Sequence, residues 1–274
     1  MPDKYNLEAA ARYWGGERLR GRDELAAVLS LSEPLEVNRA YHEWESTLVV
    51  ETLGGVRGRR VADIACGVGR LTVPLAGAGA RVLALDGAPG MLERCERHVR
   101  SKGLRGRVQF ALGPAWSIPA PDNSLDGAVC VGLLEHLPPA QQARVLREIH
   151  RVLRRGGHLA TVFNNPHSVL LRSPKDNKFR KGQQFPNGYY CALVDRGRLL
   201  RSLERHFRVE LTGTNTIYSV LRHVFRTFGD RSRDAALRRR TFRLAAELDL
   251  RFRLKGPLDE LLADHTFFRA VKKS

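Results

Sequence analysis

The sequence predicts a doubly wound α/β fold on a seven-stranded, mostly parallel sheet. Three observations predict it. From residue 60 to about residue 163, short apolar runs alternate with amphipathic segments, the pattern of a parallel sheet covered by helices on both faces. Several of these runs are continuously apolar, as strands buried on both faces are. A loop of small residues follows the first run directly, where sheets of this kind receive a ligand.

In order along the chain, strands are predicted at residues 60–65, 81–86, 107–110, 125–131 and 158–163. A helix over 89–101 opens with Pro89, whose fixed φ suits a first turn, and stops before Gly103. Another over 138–153 opens with Pro138 and Pro139, closes at Gly156 and Gly157, and sets Val145, Ile149, Val152 and Leu153 at helical spacing. Ahead of this block residues 7–53 read as helical and carry Tyr13, Trp14, Tyr41 and Trp44. Residues 1–57 are therefore a helical N-terminal extension, a cover over a pocket or a packed addition, and residues 58–274 are the main domain. Residues 193–206 read as a helix, 207–212 as a sixth strand and 265–271 as a seventh. Between the last two strands a basic helical insertion spans about 216–263 and carries Arg222, Arg226, Arg231, Arg233, Arg238, Arg239, Arg240, Arg243, Arg251 and Arg253. No internal repeat or low-complexity tract interrupts this order.

The 274 residues are 43% hydrophobic, enough for a sizeable core and against disorder. No apolar run reaches the roughly 18 residues of a membrane span, and the first residues lack a signal-peptide core, so a soluble, cytoplasmic protein is expected. Cys66, Cys95, Cys130 and Cys191 form no CxxC pair and have no histidine at zinc-ligand spacing, so neither a disulfide framework nor a metal is expected. The net charge of +17 implies a field that attracts phosphates, nucleic acid or an anionic membrane. A solvated arginine-rich surface accounts for it equally.

The run VADIACGVGR at 61–70 places Asp63 near a strand end, then small residues, then a helix start. Gly67 and Gly69 can take conformations closed to other residues and let main-chain N–H groups meet a ligand directly. Asp86, 23 positions after Asp63, ends the second strand, where it can accept hydrogen bonds from both hydroxyls of a ribose. A nicotinamide-dinucleotide fingerprint would require a small residue at position 72, which is Thr72.

The pattern acid-x-small-x-Gly-x-Gly at Asp63, Ala65, Gly67 and Gly69 instead resembles motif I of the class I methyltransferases. SLDGAVCVGLLEHLP at 124–138 and LREIHRVLRRGGHLATVFN at 146–164 resemble later motifs of the branch that includes the ubiquinone and menaquinone methyltransferases. The resemblance covers residues 60–164 and implies a Rossmann-like fold, an antiparallel last strand and S-adenosyl-L-methionine as cofactor. It also implies that Asp63 lies near the cofactor's amino group. Ala65, Cys66, Gly67 and Gly69 then lie beside its methionine portion, and Asp86 lies on its ribose. Gly87 and Met91 fall in the adenine pocket, and Leu133 and His136 beside the methionine end. Two departures stand out: Ala65 replaces the commonest first glycine, and 113–116 lacks the acid that often meets adenine. Ala115 and Trp116 are expected there instead, the indole packing on the adenine ring. Each residue has an ordinary use in a turn or the core, but their joint order favours a site.

Methyl transfer from a sulfonium is an in-line displacement that chiefly needs a positioned, water-shielded acceptor. An acceptor hydroxyl or ammonium also needs a base. His136 after the fourth strand and His167 after the fifth are the catalytic candidates, with packing and loop exposure as their ordinary uses. Asn164, Tyr189 and Tyr190, with Tyr13 and Trp14 in the extension, are candidates to orient substrate. The expected reaction is O- or N-methylation of a small molecule, a natural product or an anionic metabolite. Tyr218, Leu221, Phe225 and Phe228 form an apolar stripe by which the insertion packs as a lid. The rival readings are an RNA substrate, a membrane-surface helix and a non-catalytic scaffold. For RNA, Arg238–Arg240 with Arg172, Lys175, Lys178, Arg180 and Lys181 would track phosphates. Oligomeric state is left open.

Overall fold

Strands β1 (Arg60–Ile64), β2 (Arg81–Asp86), β3 (Val108–Leu112), β4 (Leu125–Val131) and β5 (Leu153–Asn164) form the parallel part of the sheet. The computed structural model describes residues 5–20, 23–29, 33–165, 168–171, 183–185, 189–192, 196–228 and 235–273. Two further strands, β8 (Phe207–Thr214) and β9 (His265–Lys272), close the sheet in the order β3-β2-β1-β4-β5-β9-β8, with β9 antiparallel to both neighbours. A hairpin of two-residue strands, β6 (Gln183–Gln184) and β7 (Tyr190–Cys191), stands apart.

Beyond their first residue β1 and β2 are buried throughout, which is why they read as unbroken apolar runs. Helices α4 (Thr72–Gly77), α5 (Pro89–Ser101) and α6 (Pro139–Val152) make the crossovers between parallel strands. α5 buries Met91, Cys95 and Val99, and α6 buries Val145, Leu146, Ile149 and Val152, the spacings of a single helical face. The strand order reverses between β1 and β4, so the crevice for a ligand opens at their carboxyl ends.

The N-terminal residues fold over that crevice. Asn6 caps α1 (Leu7–Arg12) through its side-chain oxygen, and the chain runs on as a π-helical turn, Tyr13–Glu17, then α2 (Glu24–Val28) capped by Asp23. Helix α3 (Leu35–Thr52) lies in the main core, with Trp44, Leu48 and Val49 almost fully buried and Trp44 edge-on to Phe267 of β9 at 4.7 Å. In space, therefore, the extension contributes a core helix as well as a cover.

After α7 (Arg196–Glu204) and β8, the insertion folds as α8 (Thr216–Phe228), α9 (Ala235–Phe252) and α10 (Pro257–Leu262). Phe242 of α9 packs against Tyr218 and Phe225 of α8, while Leu221 and Phe225 lie half-buried against the main core. Asp249 accepts hydrogen bonds from the Ile217 and Tyr218 backbone N–H groups at 2.9 Å each, capping α8 from a neighbouring helix. Several arginines of the insertion are ion-paired: Arg222 with Asp264, Arg238 with Glu36, Arg243 with Glu247 and Arg253 with Glu51. The Phe228 side chain, His167 and the basic residues Arg172, Lys175, Lys178, Arg180 and Lys181 lie outside the described residues, as do Arg231 and Arg233 and the Arg226 side chain.

The structure departs from expectation at β5, which begins at Leu153 rather than 158. Its first residue pairs with Leu125 before a register shift, so the Gly156–Gly157 step expected to end a helix lies inside a bent strand. A Cβ at Gly157 would lie 2.9 Å from the Arg154 carbonyl oxygen, too close for any other residue there without a shift. Among the described residues no helix is long and apolar enough to cross a membrane.

Candidate active site

A cavity sits at the carboxyl ends of β1, β2 and β4. Its floor is the loop after β1, its wall Asp86, Gly87 and Met91, and its roof Tyr5, Leu7 and Trp14 from the N-terminal residues. The Asp86 carboxylate is pinned, one oxygen accepting from Gly67 N–H and the other from Ala88 N–H, both at 2.8 Å. Burial pushes its pKa up, against the backbone N–H groups of Ala88 and Gly67, with that of Gly87 beside them, which favour the ionised form. Asp63 is more deeply buried and its pKa rises to about 6, while the Thr72 hydroxyl donates to it at 2.6 Å. Thr72, the residue that spoils a dinucleotide fingerprint, thus orients the acid of the loop.

Gly67 has φ +55 and lines the cavity, so its backbone is free to approach a ligand. Gly69, at φ +83, does not line it. A Cβ there would lie 2.8 Å from the Cys95 sulfur, so this glycine packs the loop onto α5. Ala65 holds φ +59, a left-handed conformation that costs a residue with a Cβ about 1 kcal/mol. The alanine that stands for a glycine is therefore strained rather than neutral. Trp116 lines the far end, edge-on to Tyr5 at 5.8 Å and beneath the Arg144 guanidinium at 5.1 Å.

A second cavity, of about 280 Å³, adjoins the first and shares Trp14, Val28, Arg70, Val131, Gly132 and His136 with it. Its further wall is polar, with Glu45, Glu135, Asn164, Arg222 and His265 among its residues. Burial raises the Glu135 carboxyl to about 7, helped by the Glu45 charge. Burial also lowers the His136 imidazole to about 4, so that ring is neutral at physiological pH. It is held by the Tyr189 hydroxyl, 3.1 Å from Nδ1, by the Tyr190 backbone, and by Trp14 at 5.0 Å.

Of the residues singled out by sequence, Asp63, Ala65, Cys66, Gly67, Asp86, Gly87, Met91, Ala115, Trp116 and Leu133 line the first cavity. His136 and Trp14 stand at the junction of the two, and Asn164 and Tyr189 line the second. Tyr13 backs Tyr189 in a stack at 4.3 Å and lines neither cavity. Tyr190 is buried and also lines neither, and its backbone holds His136. Sequence reasoning passed over Tyr5, Arg70, Glu135 and His265, and read Arg222 only as part of the basic insertion. The position of Glu135, beside His136 at the end of a predicted strand, was its only signal. Among the described residues no group of three or more His, Cys, Asp or Glu is placed to hold a metal.

Residues 61–157 match the family model described as a methyltransferase domain. The chain is 40% identical over 128 residues to methyltransferase GfsG of Streptomyces halstedii, covering 46% of this chain and 44% of that one. It is 34% identical over 134 residues to the ubiquinone/menaquinone biosynthesis C-methyltransferase UbiE of Azotobacter vinelandii, covering 47% and 52%. The chain spans about half the length of these curated relatives. Geranyl diphosphate C-methyltransferase from Streptomyces coelicolor A3(2) superposes over the whole of both chains with a TM-score of 0.62 at 13% identity, a likeness of fold. The fold is that of the class I methyltransferases. Residues 61–157 thus match a methyltransferase domain, and the relatives that share this stretch include demethylmenaquinone and ubiquinone/menaquinone methyltransferases.

Proposed function

We propose that the whole chain is an S-adenosylmethionine-dependent methyltransferase acting on a hydroxyl group of a small molecule held in the second cavity. The observation that carries this reading is the junction: two cavities meet at Trp14, Arg70, Gly132 and His136, so a methyl donor in one faces an acceptor in the other. The residues fit the cofactor. Asp86 presents a carboxylate pre-set by two backbone N–H bonds for a ribose diol, Gly67 leaves its backbone open, and Trp116 offers an apolar face to a purine. Asp63 and the loop 65–67 would hold the amino-acid end. When bound, the cofactor supplies an electrophilic methyl group on sulfur.

The chain's own part is to position the acceptor, exclude water and take a proton. The roof formed by Tyr5, Leu7 and Trp14 does the excluding. Glu135 takes the acceptor's proton, since a carboxyl in the chamber with a pKa near the operating pH is the more effective base. His136, weakly basic and tied to Tyr189 and Tyr190, orients the junction. The test is calorimetric titration with S-adenosylmethionine and S-adenosylhomocysteine. Asp86→Ala is expected to weaken both by about 100-fold, the loss of charge-assisted bonds to two hydroxyls. A folded wild-type chain that binds neither ligand overturns the reading.

A further inference from the structure

The second cavity is polar, yet each of its cations is already engaged. Among the described lining residues the guanidinium groups are Arg18, Arg70 and Arg222. Arg70 pairs with Glu45, and Arg222 with Asp264 and, at 3.9 Å, with Glu33. Arg18 donates to the carbonyls of Ala27 and Leu29 and lies 5.6 Å over the Trp14 ring. Against these three stand the lining carboxyls Glu33, Glu45 and Glu135. An anionic acceptor would enter a chamber whose positive charge is compensated, and would meet those carboxyls at close range.

The groups that retain hydrogen-bonding capacity are neutral or mixed. Asn164 and His265 are register partners at the adjoining ends of β5 and β9, and both line the chamber. Asn164 offers an amide donor and acceptor. The Asn215 side-chain oxygen accepts from the His265 backbone N–H and from the Ser219 hydroxyl. Its amide nitrogen therefore donates to His265 Nδ1 at 3.0 Å, which leaves Nε2–H as the ring's donor. Glu135 is an acceptor when ionised and a donor when protonated. The wall thus holds both donors and acceptors, together with the rings of Trp14, Tyr41 and Tyr218. Hydroxyl groups both donate and accept, so several of them on one molecule satisfy such a wall; a quinol, with only two hydroxyls on an otherwise apolar ring and tail, would leave the wall's remaining buried polar groups unpaired at about 1–3 kcal/mol each.

We infer that the acceptor is a neutral, polyhydroxylated small molecule, a sugar ring either free or carried as a glycoside, bound between Asn164, His265 and the aromatic rings and methylated on a hydroxyl facing Glu135. This rests on the methyltransferase reading above. In the transfer, the hydroxyl oxygen forms the new C–O bond as the sulfur–methyl bond breaks, Glu135 receives the hydroxyl proton, and S-adenosylhomocysteine leaves with the sulfur electron pair. It narrows the sequence expectation, in which an anionic metabolite stood beside a natural product.

The experiment has two arms. Calorimetry first establishes S-adenosylhomocysteine binding, then titrates the loaded protein with free hexoses and deoxyhexoses, their methyl and aryl glycosides, the matching sugar phosphates and a short-chain quinol. Tritiated-methyl transfer from S-adenosylmethionine is measured on the same panel. Binding and methylation of neutral sugars or glycosides, at least tenfold preferred in kcat/KM over the phosphates and the quinol, is the expected result. Free sugar and glycoside arms separate the two sources. Asn164→Ala is expected to raise the acceptor KM and Kd about tenfold while S-adenosylhomocysteine affinity stays within about twofold. Preference for a phosphate or the quinol, or no sugar bound by the loaded protein, overturns the substrate inference and leaves the methyltransferase reading standing. Failure to bind S-adenosylhomocysteine removes both.

Discussion

At the scale of the residue, Glu135 and His136 show how burial divides labour between neighbours. The same removal from water that raises a carboxyl lowers an imidazole, so at neutral pH the glutamate sits near its midpoint while the histidine is already neutral and weakly basic. A base must be ionised to act, and the Glu135 carboxylate forms as pH rises through about 7. The kcat/KM for methyl transfer is therefore expected to climb from pH 5.5 to 8 on a limb centred near 7 and to flatten above it. Glu135→Gln should remove that limb and lower kcat by about 10²–10⁴, with S-adenosylhomocysteine affinity held. A pH profile that survives the substitution assigns the proton to another group. The sequence made His136 visible and Glu135 not, because side-chain type suggests a base at neutral pH only through its unperturbed pKa, whereas the shift at Glu135 comes from packing contributed by distant elements.

At the scale of the element, the chain between β1 and β5 was legible because its signals are local: buried strands as apolar runs, helices with proline at the first turn, and two acids at strand ends. What escaped depends on contacts between distant segments. The early start of β5 follows from pairing with Leu125, and the core role of α3 follows from its packing on β9 and α9. The π-helical turn Tyr13–Glu17 is another such case. Its Gly15 crosses Gly90 of α5 so closely that a Cβ on Gly90 would lie 2.3 Å from the Gly15 carbonyl oxygen, a backbone atom that cannot swing aside. This glycine crossing brings Trp14 over the junction of the two cavities, although neither glycine lines them. Gly90→Ala is expected to push the N-terminal turn outward and raise the S-adenosylhomocysteine Kd about tenfold, with thermal stability changed by only a few degrees. A variant that binds as wild type would show that the roof does not contribute to affinity; a variant that unfolds would place the crossing in the core.

At the scale of the whole molecule, the charge of +17 invites a nucleic-acid partner, but its distribution argues otherwise. Arginines of the insertion are drawn into ion pairs with α3, with Asp264 and within α9, and the guanidinium groups that line the second cavity are accompanied by carboxyls. Exposed charges of this kind are screened by salt within about 8 Å at physiological ionic strength. A neutral acceptor feels none of this field, so its kcat/KM is expected to change less than about threefold between 50 and 300 mM NaCl. An RNA acceptor held by six to ten phosphates would lose about 10³–10⁵ in affinity between 50 and 200 mM, because each contact releases counterions that added salt restores. The same salt series on the tritiated-methyl assay therefore separates the two: a flat profile leaves the charge as a property of the surface, and a steep one makes the basic insertion part of the binding site and the acceptor a polyanion.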